Sequence, residues 1–556
     1  MKRTVSHRGL LLPAAVALAG LLLALCAGPG RAQESPVAQS LRTRLQGEKA
    51  AVTVDGRPLQ ALPLVREFYR MRSYAPAWTS HGQALAPAHE LVRALRGAAA
   101  QGLQPADYHL AAIQADMAAP GEGDSARLQT DLELLLSDAY LTLAHDYHSG
   151  HVNPVRVDPE WFLTARRHDL VDHLASALKQ GAVTASLEEL LPVQPGYARL
   201  QAALARYRSL AAAGGWRAIS AGPNLDLGAR GPRVRRLRAR LRATGDLAGP
   251  PAGATADFGP AVEAAVKHFQ RRQGLEVDGV VGRRTLAALN VAAEERVRQI
   301  EVNLERWRWL PDTWAQRRIE VNIASFRLRL AQRNKTLLAS RIIVGLPYRR
   351  TPVFSGLMTY VVINPYWNVP RSIAVREQLP RIKANPGYLE KHHLQVLEGW
   401  GKHMRVVNPA SVDWQRLGPG HFPYHLRQTP GPDNALGRVK LMFPNRFNVY
   451  LHDTPARRLF TRTRRTFSHG CIRVQRILAL AQLVLSGNPG WDRQRLEQAL
   501  ASGHEQTVPL DHPLPVEVLY RTAWVNRDGS VQFRNDIYHR DAPVARALAL
   551  PPPAGR

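Results

Sequence analysis

The sequence predicts an α+β protein of several domains, because three different patterns follow one another along its 556 residues. Residues 33–222 repeat apolar side chains at the three- and four-residue spacing of helices. Residues 225–292 form a short stretch with its own glycine punctuation, and from residue 317 apolar and polar residues alternate as in β-strands. At about 150 residues per domain, this length accommodates three or four domains. We expect a helical domain, a small helical module and a β-rich domain, in that order.

Residues 1–32 are typical of a secretory signal peptide, with a basic start, an apolar middle and small residues up to Ala32. Two alternatives stay open. The apolar run approaches the length of a membrane-spanning helix, which would retain the segment as an anchor. A lipid on Cys26 is the other, although Leu25 stands where a small residue is expected. Cleavage after Ala32 leaves Cys471 as the only cysteine, which excludes an intramolecular disulfide in the exported chain.

The chain is strongly basic, with a formal net charge of +29. Removal of the segment 1–32 takes away only a few of these charges. Such an excess favours an anionic partner. We expect no nucleic acid, because an exported protein meets little of it. A carboxylate-rich wall polymer or an anionic membrane face fits the charge better.

The helical region 33–222 contains three histidines at intervals of three residues, His145, His148 and His151. On a single helix this spacing would resemble a zinc site. Gly150 and the Val-Asn-Pro that follows His151 predict that the helix ends near His148. We therefore expect capping or surface roles for these histidines, and no bound metal.

Three apolar stripes predict three helices within residues 225–292. The stripes are Val234, Leu237 and Leu241; Val262, Val266 and Phe269; and Thr285, Leu286 and Leu289. Glycines at 228 and 231 precede the short patterns FG, AVxxFQ and GLxxDGxxG. In this order the stretch resembles the peptidoglycan-binding domain. The resemblance implies that peptidoglycan is a partner of the protein.

Residues 317–500 predict a β-rich domain, because stretches such as RIEVNIASFRLRLA alternate apolar and polar side chains. A segment rich in proline and glycine, at about 375–440, predicts an insertion of helix and loop. The strand pattern returns at RFNVYLHDTP. Residues 501–556 predict a C-terminal β extension with two strands around the turn at Asp528-Gly529.

Cys471 follows Ser468-His469-Gly470 and precedes an apolar helical pattern, so we expect it where a turn enters a helix. At that position the helix N-terminus and nearby cations would lower the pKa of the thiol. Free backbone N–H groups there would hold an oxyanion, and Gly470 would let substrate approach the backbone. These features favour a nucleophile. The alternative is a buried, inert cysteine.

A thiol nucleophile needs a base, and histidine is the usual one. His452 ends a predicted strand whose polar face also carries Asn448 and Tyr450, and the chain then returns to Cys471 through an arginine-rich loop. His469 is too close in sequence to point easily at the thiol. Spacing is weak evidence in a chain with 20 histidines, but the geometry favours His452.

The stretch HDTPARRLFTRTRRTFSHGCIRV resembles the active-site motif of the L,D-transpeptidases, which have a YkuD-type catalytic domain. The resemblance implies that Cys471 is the nucleophile and His452 the general base. It also implies that the backbones of His469 and Gly470 help to form the oxyanion site, and that Ser468 supports the turn.

Two positions differ from small members of this family. Arg473 stands where those usually have asparagine, and Asp453 stands where they often have serine or glycine. With the stretches NPYWNVP and LGRVKLMFPN, both features are similar to large, YcbB-type members. That architecture implies a helical scaffold domain over 33–222, a peptidoglycan-binding domain over 225–292, and a catalytic domain over 317–500 whose capping insertion spans about 375–440.

The resemblance implies a periplasmic enzyme that joins two tetrapeptide stems of peptidoglycan through a thioester on the cysteine. Neither step of such a reaction needs a metal or an organic cofactor. Tyr450, Arg473 and Trp367 are expected to support substrate binding, with Trp367 lining the cleft. Other cell-wall synthases are expected as further partners. Alternatives are the same thioester chemistry with another acceptor, as in an L,D-carboxypeptidase or in lipoprotein attachment or release, and a non-catalytic wall-binding scaffold.

Overall fold

The computed structural model describes residues 34–47, 51–119, 125–164, 166–249, 256–333, 335–385, 387–399 and 401–553. The predicted signal peptide and Cys26 lie outside these residues. Within them, no helix combines the length and the apolar character that a membrane crossing requires. The predicted fold class is confirmed: helical regions precede a β-rich domain, and helix and strand are both abundant.

The N-terminal region is a helical bundle with two short hairpins. Its helices are α1 (Pro36–Leu45), α2 (Leu62–Met71), α3 (Ala86–Gly97), α4 (Leu110–Ala118), α5 (Ser125–Ser149), α6 (Pro154–Val157), α7 (Leu170–Gln180), α8 (Val183–Glu189) and α9 (Pro195–Ala212). The hairpins pair β1 (Thr53–Val54) with β2 (Arg57–Pro58) and β3 (Thr79–Ser80) with β4 (Gln83–Ala84). Every residue of α5 from Thr130 to Ala144 is buried, so α5 is the central helix of this region.

Helix α5 ends at Ser149, one residue from the expected position. The expectation that its histidines lie at the surface is wrong for His148 and His151, which are both buried. His151 bonds through Nδ1 to Asp146 at 2.7 Å and through Nε2 to the carbonyl oxygen of Leu550 at 2.9 Å. Its function is thus to join the helical region to the C-terminal segment. No cluster of metal-ligating side chains is found in the part of the chain that the structure describes.

The small module contains the three predicted helices, α10 (Pro232–Ala243), α11 (Pro260–Gln273) and α12 (Arg283–Leu289). The predicted apolar stripes form its core, which is separate from that of the β-rich domain. Helix α11 ends at Gly274, whose φ of +69° is a left-handed conformation that glycine adopts without strain. A long helix, α13 (Ala293–Arg308), follows the module and packs against α9.

The β-rich domain begins with four strands of one large sheet, β5 (Arg317–Asn322), β6 (Arg327–Gln332), β7 (Lys335–Gly345) and β8 (Phe354–Ile363). An insertion follows. It contains β9 (Trp367–Asn368), α14 (Arg371–Ile373), a π-helical turn at Ala374–Gln378, α15 (Leu379–Ala384), α16 (Tyr388–Lys391), β10 (Leu394–Glu398), β11 (Arg405–Val407) and β12 (His425–Gln428). The prediction of helix and loop for this segment is therefore incomplete, because four of its strands pair into an antiparallel sheet over their own apolar core.

After the insertion the chain returns to the large sheet. It adds β13 (Val439–Met442), β14 (Leu451–His452), β15 (Thr466–Ser468), β16 (Ile472–Val474), the helices α17 (Ile477–Leu485) and α18 (Arg493–Ala501), and β17 (Gln506–Leu519). The nine strands run in the order β15-β7-β16-β14-β13-β8-β17-β5-β6. Residues 506–519 were expected in a C-terminal extension. They instead form an inner strand of this sheet, antiparallel to β8 and parallel to β5, because their alternating apolar residues fill the space between those strands.

The chain ends with the expected hairpin of β18 (Ala523–Val525) and β19 (Val531–Phe533), followed by α19 (Asp541–Leu548). This segment contacts α13 through ion pairs such as Arg306–Asp541, at 2.6 Å. Tyr538 reaches the end of β7, where its hydroxyl donates to the carbonyl oxygen of Gly345 at 2.6 Å. The C-terminal segment thus supports the side of the large sheet that carries the candidate site.

Candidate active site

Three adjacent strands place Lys440, His452 and Arg473 in one row across the large sheet. In the register of β13 and β14, Lys440 lies opposite His452. In the parallel register of β14 and β16, His452 lies beside Arg473. Neighbouring strands are about 4.8 Å apart, so His452 has a cationic side chain on each side.

Cys471 lies on the same face as His452. Leu451 pairs with Ile472, and both side chains are buried in the core. Because side chains alternate along a strand, the residues next to this pair point to the other face. Tyr450, His452 and Cys471 therefore share that face, with Cys471 beside Tyr450 and diagonal to His452. The predicted nucleophile and base are brought together on neighbouring strands.

The expected helix entry at Cys471 is wrong. The residue begins the short strand β16, and the next helix, α17, starts only at Ile477. The longer strand expected before His452 is wrong as well, because only Leu451 and His452 are extended enough to pair. Asn448 has a φ of +53°, and the side chain of Asn445 bonds to the backbone of residues 447 and 449, which turns the chain.

Hydrogen bonds of Ser468 shape the turn before the nucleophile. Its Oγ donates to the carbonyl oxygen of Cys471 at 2.5 Å and accepts from the N–H of Gly470 at 3.2 Å. Gly470 has a φ of +120°, a conformation that favours glycine. This geometry agrees with a supporting role for Ser468. The oxyanion role of the His469 and Gly470 backbones stays a prediction, since the Gly470 N–H already has a partner.

The insertion touches this turn directly. The Nε2 of His469 donates to Glu377 at 2.6 Å, and Glu377 also accepts from Arg349 at 3.2 Å. Glu377 belongs to the π-helical turn at Ala374–Gln378, and such turns are frequent at functional sites. The side chain of His469 is thus held by a residue of the insertion.

The pKa of Cys471 lies above that of an ordinary cysteine, chiefly because burial disfavours the thiolate. The backbone and hydroxyl of Tyr450, and the charges of Lys440 and Arg473, offset part of this rise. The expectation of a lowered pKa is therefore wrong, since no helix N-terminus is present and desolvation is the largest effect. The free thiol, whose Sγ lies 3.5 Å from the carbonyl oxygen of Asn448, stays protonated at neutral pH and needs a base.

The surroundings of His452 keep its imidazole in the neutral form. Burial, followed by the charge of Arg473 and then that of Lys440, lowers its pKa to about 3. The carbonyl oxygens of Asp453 and Leu436 offset this only in part. Its Nδ1 is buried and has no hydrogen-bond partner within the described residues. A neutral imidazole with a free nitrogen can accept the proton of a nearby thiol.

Residues 316–491, which contain this site, match the family model described as the L,D-transpeptidase catalytic domain, YkuD. The chain carries a YkuD-type L,D-transpeptidase domain. Residues 230–289 match the family described as "Putative peptidoglycan binding domain", and residues 63–204 match the family described as a scaffold domain. The resemblances to a YkuD-type catalytic domain and to a peptidoglycan-binding domain are thus confirmed.

A protein of Haemophilus influenzae named "Putative L,D-transpeptidase" is 38% identical over 246 residues, which are 44% of this chain and 48% of that protein. The match thus spans about half the length of this relative. A crystal structure of an L,D-transpeptidase from Xylanimonas cellulosilytica has 16% identity and a TM-score of 0.17, covering 54% of this chain and 99% of its own. One from Stackebrandtia nassauensis has 14% identity and a TM-score of 0.21, covering 53% and 94%. At such scores these two structures add nothing to the family match.

Trp367 and two arginines of the arginine-rich loop have contacts within the β-rich domain. Trp367 belongs to β9 and packs against the core of the insertion, so its position in the cleft stays a prediction. In the arginine-rich loop, Arg457 bonds to Asp453 at 2.7 Å. Arg465 is buried and donates to the carbonyl oxygens of Ile342 and Phe326, and burial lowers its pKa to about 10. These two arginines hold the loop in place.

Lys440 is the residue of this reactive face that sequence reasoning missed. Its Nζ lies 4.2 Å from the centre of the Tyr450 ring, on the face that carries Cys471. The signal was a charged residue between the apolar Val439 and Leu441 in a strand pattern. That alternation indicates a polar face, but it cannot indicate which strand lies beside it.

Proposed function

We propose that the protein is a periplasmic L,D-transpeptidase that forms cross-links between two diaminopimelate residues of peptidoglycan. The observation that carries this proposal is the pairing of a protonated thiol, Cys471, with a buried neutral imidazole, His452, on one face of two registered strands. The match of the surrounding domain to the L,D-transpeptidase family supports the reaction class. The peptidoglycan-binding match supports the substrate class.

In the first half-reaction, His452 takes the thiol proton while the sulfur of Cys471 attacks the carbonyl carbon of the third stem residue. The tetrahedral intermediate collapses, and the C–N bond to the terminal D-alanine breaks. The imidazolium returns the proton to the leaving amine. Because burial and two neighbouring cations disfavour the imidazolium, this proton transfer is downhill. The product is a thioester on Cys471, with D-alanine released.

In the second half-reaction, the side-chain amine of diaminopimelate on another stem attacks the thioester carbon. The C–S bond breaks, an amide forms, and the proton lost by the amine restores the Cys471 thiol through His452. Water as the acceptor would give a free tripeptide instead. We further propose that the signal segment 1–32 directs export, that 33–222 and 225–292 are separate domains, and that the catalytic domain extends from 317 through β17 rather than ending at 500.

The test is mass spectrometry of the purified protein after incubation with disaccharide-tetrapeptide. The proposal expects cross-linked dimers that have lost one D-alanine, a transient adduct on the Cys471 peptide, and neither product with Cys471→Ala. Tripeptide without dimers would change the assignment to an L,D-carboxypeptidase. Unchanged substrate, with no adduct on the Cys471 peptide, would favour the non-catalytic scaffold.

A further inference from the structure

Lys440 is a half-buried cation without an ion-pair partner in the described part of the chain. Some buried cations of the protein are paired with a carboxylate, Arg272 with Asp246 at 2.5 Å and Arg306 with Asp541 at 2.6 Å, and others, such as Arg465, donate to backbone carbonyl oxygens. Besides Cys471, the acidic group whose charge acts on Lys440 is Glu505, and its carboxylate accepts a hydrogen bond from the N–H of Tyr366 at 2.7 Å. An unpaired charge away from bulk water is costly unless something compensates it.

Arg473, on the other side of His452, resembles Lys440 in its lack of a charged partner within the described residues. It forms no salt bridge among the residues that the structure describes, and its Nε is buried without a hydrogen-bond partner. Burial lowers the pKa of both Lys440 and Arg473, while the Cys471 thiolate would raise it. The reactive face therefore carries two cations that have no ion-pair partner among the described residues. Such a cleft attracts an anion.

We propose that Lys440 binds a carboxylate of the acyl donor, next to the carbonyl that Cys471 attacks. The inference rests on the proposed function, in which the donor ends in D-alanine. The carboxylate of that residue lies one residue beyond the attacked carbonyl, a separation of about 3.8 Å between α-carbons. Lys440 and Cys471 lie two strands apart on one face, with β14 between them. The Nζ of Lys440 lies 4.2 Å from the centre of the Tyr450 ring, and Tyr450 is beside Cys471, so the ammonium group extends toward the thiol and can reach a carboxylate next to the attacked carbonyl.

Carboxylate binding at Lys440 would also change the basicity of His452. In the free protein, His452 lies between two positive charges that oppose its protonation. A bound carboxylate neutralises one of them, so the imidazole becomes a stronger base only when a donor is present. Lys440 thereby selects donors with a free terminal carboxylate and couples their binding to proton transfer.

The first experiment needs no peptidoglycan. Iodoacetate and iodoacetamide alkylate the same thiol, with loss of iodide, and differ in carrying a carboxylate or a neutral amide. The rate is followed on the Cys471 peptide by mass spectrometry. For Lys440→Gln we expect the ratio of the iodoacetate to the iodoacetamide rate to fall by about tenfold or more. Lys440→Arg should keep most of this ratio. Lys335→Gln, an exposed lysine at the start of β7, is the control and should leave the ratio unchanged.

The second experiment compares donor tetrapeptides that end in D-alanine or in D-alanine amide. Lys440→Gln should slow acylation by the free acid and leave acylation by the amide nearly unchanged. Equal slowing with both donors, or an unchanged alkylation ratio, would overturn the proposal in favour of a general effect on the thiolate. If the wild-type protein releases no D-alanine, the proposed function fails, and the alkylation ratio still decides whether Lys440 binds carboxylates. If Lys440→Gln does not fold, the alkylation ratio of Lys440→Arg, which keeps the positive charge, still tests the proposal.

Discussion

The hydroxyl of Thr351 donates a 2.8 Å hydrogen bond to the carbonyl oxygen of Gly470, the residue before the nucleophile. The same Oγ1 accepts from the N–H of Gly345 at 3.0 Å, and Thr351 is fully buried. Tyr538 holds the carbonyl oxygen of Gly345 from the C-terminal segment. A chain of hydrogen bonds thus runs from that segment through the sheet to the turn that presents Cys471.

Replacement of Thr351 by valine should slow catalysis without abolishing folding. Valine keeps the shape but leaves the Gly345 N–H and the Gly470 carbonyl unsatisfied, which costs about 1–3 kcal/mol for each buried group. We expect a lower kcat with little change in KM, because the turn and not the substrate contact is loosened. Steady-state kinetics with a tetrapeptide donor, beside a thermal melt, measure both effects. Thr351→Ser keeps the hydroxyl and should restore most of kcat; a serine variant as slow as valine would contradict this role.

Replacement of Gly437 by alanine should damage the site next to the base. Gly437 has a φ of +62°, and a Cβ there would lie well inside contact distance of the Asp453 side chain, which follows His452. Gly181 has the same φ and nothing within 4 Å of its Cβ position, so Gly181→Ala measures the left-handed cost alone. We expect Gly437→Ala to lose about 1–3 kcal/mol of unfolding free energy beyond that control, and to lose acylation activity. Chemical denaturation and donor kinetics provide the two numbers. Equal losses in both variants would show that Asp453 moves aside freely.

The raised pKa of Cys471 should appear in the pH dependence of its alkylation. A raised pKa means a smaller thiolate fraction at any neutral pH, so the rate with iodoacetamide should keep rising with pH beyond the range of an ordinary cysteine. The Tyr450 hydroxyl lowers this pKa, so Tyr450→Phe should move the profile to still higher pH and slow alkylation at pH 8 by about tenfold. Tyr348→Phe, at a residue that is 77% exposed, is the matched control. A profile that levels off below pH 8 would contradict the burial effect.

Removal of the Glu133 carboxylate should destabilise the N-terminal region. The buried Glu133 accepts the backbone N–H groups of Ala77, Trp78 and Thr79 at 2.7–2.8 Å, and the hydroxyl of Tyr69 at 2.7 Å. Glu133→Ala leaves these donors unsatisfied, so we expect a loss of about 3–5 kcal/mol. Calorimetry should show a lower melting temperature for this region, with the exposed Glu67→Ala as the control. A melting curve identical to that of the control would mean that water replaces the carboxylate without cost.

Some elements could be predicted from the sequence because their signals are local. The stripes of Val234 and Leu237 and the turn at Asp528-Gly529 depend on neighbours a few residues away. The strand segment at 506–519 was placed in the wrong unit, because its alternation shows that it is a strand but not which strands it joins. The insertion sheet was missed for a related reason, since its four strands are short and interrupted by proline and glycine.

By itself the sequence determined the fold class, the order of the regions and the identity of Cys471 and His452 as candidates, since residue types, periodicity and a short motif carry that information. Only the tertiary structure decided that Lys440 lies opposite His452, that the thiol begins a strand, and that its pKa is raised. These properties depend on the register between strands that are distant in sequence and on the removal of water from their shared face. Neither can be read from a local pattern, because both arise only when distant strands assemble into the sheet.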